Sequence, residues 1–224
     1  MTRLAGQVYA PILGSVCDHL VRQGPGQIQQ LEMLFRKIIF GGTLGVLGGL
    51  LLLPTFIEVY NKAVAQLDRH GDLSKVLLMC LWPTKWPKII SCLRPPSLLG
   101  VRVSDFQTLP KSFLIGNVVV LSVHSVGVMA AIYAGAELGE GFSRTATYLS
   151  SVVNGLATIT LGMVVDPTTA LIADNCLSSK RPEKDIKTTA VGLLFGMLLG
   201  TLIAQVVFMP AVWVIELAAK IMAH

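Results

Sequence analysis

Four stretches of this sequence are long, apolar and nearly free of charge: residues 38–57, 113–136, 146–165 and 188–208. A helix needs about 20 mostly apolar residues to cross a bilayer, because lipid offers no hydrogen-bond partner and each backbone amide must be satisfied within the segment. Charged residues make up only 14% of the chain, against about 25% in a typical soluble domain. The sequence therefore predicts an all-α fold, a single polytopic transmembrane domain built as a bundle of about four to six membrane helices, and it excludes a soluble enzyme.

The segments outside these stretches are expected to lie at the membrane surface or to enter only part of the bilayer. Residues 1–23 have apolar side chains at a helical period, which predicts an amphipathic or partial membrane helix. Residues 61–112 are rich in Lys and Arg and are predicted to form a cytoplasmic or interfacial segment, in which residues 76–92 either span the membrane or lie at its surface. Residues 211–223 follow Pro210 and are predicted to form a C-terminal helix, either separate or as a kinked continuation.

The charges of the connections predict the orientation in the membrane. Residues 176–187 carry four basic residues, whereas residues 137–144 carry two Glu and one Arg. The positive-inside rule places the first connection in the cytoplasm, and counting spans backward places residues 61–112 there too and residues 24–37 near the outer side. The same rule accounts for the excess of 18 Lys and Arg over 13 Asp and Glu without a nucleic-acid partner.

Small residues recur at helical spacing within all four apolar stretches. The four sets are Gly41, Gly45 and Gly49; Gly127, Ala131 and Gly135; Ser151, Gly155, Thr158 and Gly162; and Gly192, Gly196 and Gly200. This small-xxx-small pattern lets helix backbones approach closely and gain van der Waals contact that lipid cannot better. The pattern fits a tightly packed monomer and also the seam of a homo-oligomer, and the sequence leaves both open.

No spacing in the sequence indicates a metal site, a cofactor or a catalytic centre. The cysteines are scattered, at Cys17, Cys80, Cys92 and Cys176. None forms a C-x-x-C pair, and the four histidines form no H-x-x-x-H pair, so zinc and redox chemistry are not expected. We therefore predict no cofactor and no enzymatic activity.

A few polar side chains lie within or beside the apolar stretches, where each should face protein or water rather than lipid. These are Asn117, His124, Asn154 and Asp166. A hydrogen bond across helices is the alternative to a proton relay for His124 and to a substrate contact for Asn154. Asp166 precedes Pro167, a pair that also fits a helix N-cap with proline at the first helical position.

Five stretches of the chain have a recognisable sequence: FRKIIFGGTLGVLGGLLLLPTFIEVYNKAV (35–64), GVMAAIYAGAE (127–137), SRTATYLSSVVNGLATI (143–159), VVDPTTALIAD (164–174) and GTLIAQVVF (200–208). Together they resemble the Amj (alternate to MurJ) family of bacterial lipid II flippases. The resemblance runs in order from about Arg3 to the C-terminus and is most specific at residues 54–62 and 144–158. It implies a multi-pass protein of the bacterial inner membrane that moves the undecaprenyl-pyrophosphate-linked peptidoglycan precursor to the outer leaflet.

The start of the chain departs from the family pattern. Members usually begin with an additional span and a stretch resembling S-R-T-A-N-x-x-Q-A-P, whereas residues 2–11 here read T-R-L-A-G-Q-V-Y-A-P. We therefore expect the chain to begin inside the family's second helix, either because the start codon was assigned late or because it is a shortened homologue.

The resemblance, together with the positions of the charges, leads to a hypothesis for the site. A dianionic pyrophosphate that crosses hydrocarbon needs cations and hydrogen-bond donors. The predicted pyrophosphate contacts are the cations near span ends, Arg3, Arg36, Lys62 and Arg144. The predicted polar path consists of Asn117, His124, Asn154 and Asp166. Two other functions stay open, a membrane scaffold that transports nothing and a transporter of another solute that is coupled to protons.

Overall fold

The computed structural model describes residues 2–24, 27–70, 94, 100–139 and 141–222, with side chains except at residues 2–10, 63, 64 and 66–70. The described residues contain six α-helices, which are in chain order α1 (Thr2–Arg22), α2 (Ile28–His70), α3 (Lys111–Leu138), α4 (Ser143–Thr160), α5 (Asp166–Leu177) and α6 (Lys184–Met222). A 3₁₀ helix, η1 (Val103–Thr108), precedes α3, and a π-helical turn (Leu161–Val165) joins α4 to α5. The predicted all-α fold is confirmed.

Four helical stretches in the described part of the chain are long and apolar enough to cross a membrane. They are Ile28–Lys62, Lys111–Leu138, Ser143–Leu177 and Lys184–Met222. The predicted stretch 38–57 lies within α2, 113–136 within α3 and 188–208 within α6. Residues 211–222 continue α6 through Pro210 without a break, and residues 76–92 lie outside the described residues.

The N-cap predicted at Asp166 is wrong. An N-cap residue needs non-helical backbone angles, but Asp166 has φ −64° and ψ −47°, and helix continues on both sides of it. Proline lacks an N–H group and its ring crowds the carbonyl four residues earlier. The wider π turn at Leu161–Val165 lies where Pro167 disturbs the ladder, so the helix continues to Leu177 instead of starting anew.

Helix α3 lies at the centre of the bundle. It is apolar around its whole circumference, which is typical of a helix that is surrounded by others. It packs most extensively against α6 and α4 and also contacts α1 and α2. The bundle has two ends, named here after their connections: the basic end holds the start of α3 and the connection between α5 and α6, and the acidic end holds the connection between α3 and α4.

Each end has its own apolar cluster. At the acidic end the buried rings of Phe35 and Tyr133 each meet Phe208 edge-on, at centroid distances of 6.2 and 5.8 Å. At the basic end, Phe113 packs with Val165 and other residues of the turn and of α5. Edge-to-face rings add roughly 0.5–1.5 kcal/mol each to the apolar burial, so aromatic contacts fix both α2 and α3 against α6 at the acidic end.

The small-residue sets differ in what they contact. On α6, Gly196 lies against the Asn117 side chain, and Gly200 lies against the backbone of α3. On α3, Gly127 lies against Asn154 and Gly135 against Ser143. These two sets pack inside the monomer. A methyl group added at any of Gly41, Gly45, Gly49, Gly155 and Gly162 would meet no neighbour within 4 Å among the described residues.

Candidate functional site

A cavity of about 730 Å³ opens between the second half of α1, the C-terminal half of α3 and the start of α4. Its wall includes Gly14 of α1 and Gly139, the residue that follows α3, and at both positions a Cβ atom would meet nothing within 4 Å among the described residues. Helix α1 packs on α3 and α2 but only marginally on α4. The cavity therefore results from missing side chains and from the separation between α1 and α4.

Polar groups line the cavity on two sides. Helix α1 contributes Asp18 and Arg22, one helical turn apart, and α4 contributes Ser143, Thr147 and Ser150, at spacings of four and three that place them on one face. The wall from α3 is apolar or small. The three hydroxyl residues of α4, named here the hydroxyl rail, therefore lie across the cavity from the two charged residues of α1.

The two charges on α1 are not paired with each other. Neither Asp18 nor Arg22 belongs to any ion pair or hydrogen bond formed by the described part of the chain. The Thr147 hydroxyl donates to the Ser143 carbonyl oxygen at 2.8 Å, whereas the Ser143 and Ser150 hydroxyls have no hydrogen-bond partner among the described residues. One guanidinium and two hydroxyls that line the cavity therefore have no hydrogen-bond partner among the described residues.

Cys17 forms part of the same wall. Burial, together with a smaller effect of the Asp18 charge, raises the pKa of its thiol to about 11. The thiol is therefore protonated at neutral pH and behaves as a small apolar group in the wall.

The predicted pyrophosphate cations are not brought together at one place. Arg36 and Arg144 lie toward the acidic end, whereas Lys62 lies beyond the other end of the span in α2, beside Glu58 at 3.4 Å. Arg3 lies in α1, in the stretch without described side chains. Arg144 is exposed in the first turn of α4 and forms no ion pair within the described part of the chain.

Arg36 ties α2 to α6. Its Nε donates to Glu32 at 2.8 Å and its Nη1 donates to the Gln205 carbonyl oxygen at 3.0 Å, while Gln205 Nε2 donates back to the Arg36 carbonyl at 2.9 Å. The guanidinium also lies 5.8 Å from the centre of the Phe208 ring, within the range of a cation–π contact. These contacts give Arg36 a structural role whether or not it also meets a ligand.

The predicted polar path divides into two parts. His124 is exposed on α3, one turn before Val128 of the cavity wall, and Asn154 continues the rail on α4 one turn beyond Ser150. The Asn154 Oδ1 atom is buried without a hydrogen-bond partner among the described residues.

Asn117 and Asp166 lie apart from this stripe. The Asn117 Nδ2 donates to the Leu193 carbonyl oxygen at 3.0 Å across the α3–α6 interface, as a hydrogen bond between helices, and Asp166 is exposed beyond the π turn. Two of the four predicted polar residues, His124 and Asn154, thus lie beyond the cavity lining on its side toward the basic end.

Comparison with known proteins gives a family model and a named relative that carry the same family name. The family model described as "Amj: Alternate to MurJ" matches residues 1–219. The chain is 30% identical over 221 residues to a protein of Bacillus subtilis (strain 168) named lipid II flippase Amj, an alignment that covers 98% of this chain and 81% of that protein. No solved structure matches this chain.

Proposed function

Because this chain belongs to the Amj (alternate to MurJ) family, we propose that it is a lipid II flippase, which moves the lipid-linked peptidoglycan precursor across the membrane. The observation that carries the proposal is the match to the family model at residues 1–219, joined to a relative of that name aligned over 98% of the chain. The protein is a multi-pass protein of the bacterial inner membrane. No covalent bond changes in such a transfer.

The physical difficulty of this transfer is the head group. The polyprenyl tail can stay in the bilayer throughout, but a charged diphosphate and a polar sugar and peptide cannot enter hydrocarbon without partners. The cavity between α1, α3 and α4 offers a cation and hydroxyls within the bundle. These groups support a route along α3 and α4 for the polar part of the lipid.

The span-end cations and the polar path belong to this proposal. Lys62 contacts the pyrophosphate at the end of the span that the charges place in the cytoplasm, and Arg144 contacts it at the acidic end. The polar path between the two ends includes His124 and Asn154, which follow the cavity along α3 and α4. The proposal also keeps the other residues predicted from the sequence. Arg3 and Arg36 are pyrophosphate contacts, and Asn117 and Asp166 belong to the polar path.

Complementation tests the function. The chain is expressed in a bacterium depleted of its own lipid II flippases, and survival is scored together with the amount of protein in the membrane. Survival is the expected result. Failure to survive despite normal insertion would contradict the proposal, and a stable protein partner recovered in mild detergent would then favour a scaffold.

Variants test the cation contacts in the same strain. Arg144→Ala is the informative substitution, because its side chain has no structural partner within the described part of the chain. Arg36→Ala also breaks the tie between α2 and α6, so its result is read together with a melting curve. Lys180→Gln, in the exposed connection at the basic end, is the matched control. Rescue by Arg144→Ala and Arg36→Ala equal to that of the parent would show that the cation role is wrong.

A further inference from the structure

We propose that Arg22, Ser143 and Ser150 form a subsite for a phosphate group of a polyprenyl diphosphate lipid, at the acidic end of the cavity. The inference rests on the proposed function and deepens it, since it names groups that hold the charged part of the substrate. None of these three residues is among the cations or path residues predicted from the sequence.

The first step of the argument is the unpaired guanidinium. Three arginine side chains in the described part of the chain form ion pairs: Arg36 with Glu32, Arg94 with Glu58, and Arg181 with Asp185. Arg22 follows Asp18 by four residues, the spacing at which helical pairs form, yet the two do not meet within 4.0 Å. Arg22 lines the cavity with an exposed side chain, and a phosphate oxygen is the best acceptor for a planar fork of N–H groups.

The second step is the start of α4. Ser143 is its first residue, and the preceding Phe142 supplies no side-chain acceptor for the first turn. The Ser143 N–H already donates to the Gly139 carbonyl oxygen at 3.1 Å, so what α4 offers an anion is the partial positive charge at the start of a helix. Because Ser143 and Arg22 line the same cavity, the helix start and the guanidinium both attract an anion that binds there.

The third step is the hydroxyl rail. The Thr147 proton is committed to the Ser143 carbonyl oxygen, but the Ser143 and Ser150 hydroxyls are uncommitted among the described residues. A hydroxyl can donate to a phosphate oxygen and still accept from a sugar hydroxyl. The rail therefore suits a ligand in which a phosphate is followed by a sugar, with the phosphate nearer the start of α4.

Asp18 shows where the phosphate does not bind. It lies one turn before Arg22 on α1, on the side of Gly14 and Pro11, and its carboxylate repels an anion. The same carboxylate accepts hydrogen bonds from neutral hydroxyl or amide groups. The order of charges along α1 thus places the phosphate at the Arg22 end and the uncharged part of the head group beside Asp18.

Lipid binding to the full chain tests the subsite. The protein is placed in nanodiscs of phosphatidylcholine, and native mass spectrometry compares bound undecaprenyl diphosphate, undecaprenol and phosphatidylglycerol at equal amounts. The parent should retain the diphosphate lipid at least about tenfold better than the other two, and Arg22→Gln should lose about tenfold, the usual effect of a charge-assisted hydrogen bond. Ser150→Ala should lose less, and Arg22→Lys should restore part of the binding.

Controls separate a lost contact from a lost fold. Lys180→Gln removes one positive charge at the opposite end and should bind like the parent, and the melting curve of Arg22→Gln should match that of the parent. Undiminished diphosphate binding by Arg22→Gln would overturn the subsite, and so would equal retention of phosphatidylglycerol, which would make the cavity a general phospholipid contact.

The subsite and the proposed function can fail separately. If the parent complements the depleted strain but its diphosphate binding does not depend on Arg22, the subsite is wrong and the flippase function stands. If the parent binds the diphosphate lipid through Arg22 but does not complement, the subsite stands and the flippase function is wrong.

Discussion

Replacing Gly200 with alanine should weaken the contact between α3 and α6. A Cβ atom at this position would lie 2.9 Å from Leu121 Cβ and 3.1 Å from both the Ser122 nitrogen and the Val118 carbonyl oxygen. Two of these three atoms are helix backbone, so the methyl group can be accommodated only if α3 moves away from α6. Overpacking of this kind costs about 1–3 kcal/mol, while alanine favours the helix over glycine by about 1 kcal/mol.

Gly45→Ala is the matched control, because a Cβ at Gly45 would meet nothing within 4 Å among the described residues. Its only expected effect is the gain in helix propensity of about 1 kcal/mol. Subtracting one variant from the other cancels that gain, so Gly200→Ala should be less stable than Gly45→Ala by about 1–3 kcal/mol. The free energy of unfolding is measured by titration with SDS in mixed micelles, followed by circular dichroism. Equal unfolding free energies for the two variants would refute the close approach of α3 and α6.

Two further predictions concern titration outside the membrane spans. Lys184 Nζ bonds Asp105 Oδ2 at 2.7 Å and lowers the pKa of that carboxyl below its ordinary 3.8; the contribution to stability is therefore present above about pH 4 and is lost as the pH falls further. Lys184→Gln should speed hydrogen exchange of residues 103–108 at pH 7, and unchanged exchange would contradict this. The Cys17 pKa of about 11 means that the neutral thiol stabilises the fold below pH 9 and that this contribution is lost as the pH rises toward 11. Iodoacetamide should label Cys17 slowly at pH 8 and rapidly near pH 11, resolved by peptide mass spectrometry, and rapid labelling at pH 8 would count against the burial of the thiol.

The fold class could be predicted because the bilayer imposes a severe local condition. About 20 apolar residues in a row are rarely compatible with anything but a membrane helix, and this condition can be checked within one segment. The contacts of single polar residues depend on distant parts of the chain. Arg36 meets Gln205, which is 169 residues away, and Asn117 meets Leu193, which is 76 residues away. No spacing near Arg36 or Asn117 reveals those partners, so Arg36 could be placed at a span end but not identified as a tie between helices.

The cavity escaped prediction because space between helices has no sequence signal of its own. Its walls are recognised only once it is known that Gly14 of α1 and Gly139, just after α3, line the same space. A glycine has the same appearance in the sequence whether a neighbour fills the space, as at Gly200, or nothing does, as at Gly45. Periodicity shows that small residues share a face, but it does not show what that face contacts.

The rotation of α4 about its own axis decides which of its faces lines the cavity. Two stripes of residues with similar spacing run along this helix, about 100° apart because each residue of one stripe is followed directly in sequence by a residue of the other. The first stripe contains Thr147, Ser150 and Asn154, and the second contains the small residues that begin with Ser151 and Gly155. The sequence singled out the second stripe as a packing face, yet it is the first that faces α3 and α1. The contact that selects this rotation is the one between Asn154 and Gly127, where only a residue without a side chain leaves room for the amide. Asn154 thus packs against Gly127 without the hydrogen bond across helices that was the alternative for it, and by holding α4 in this rotation it turns the hydroxyl rail toward Arg22.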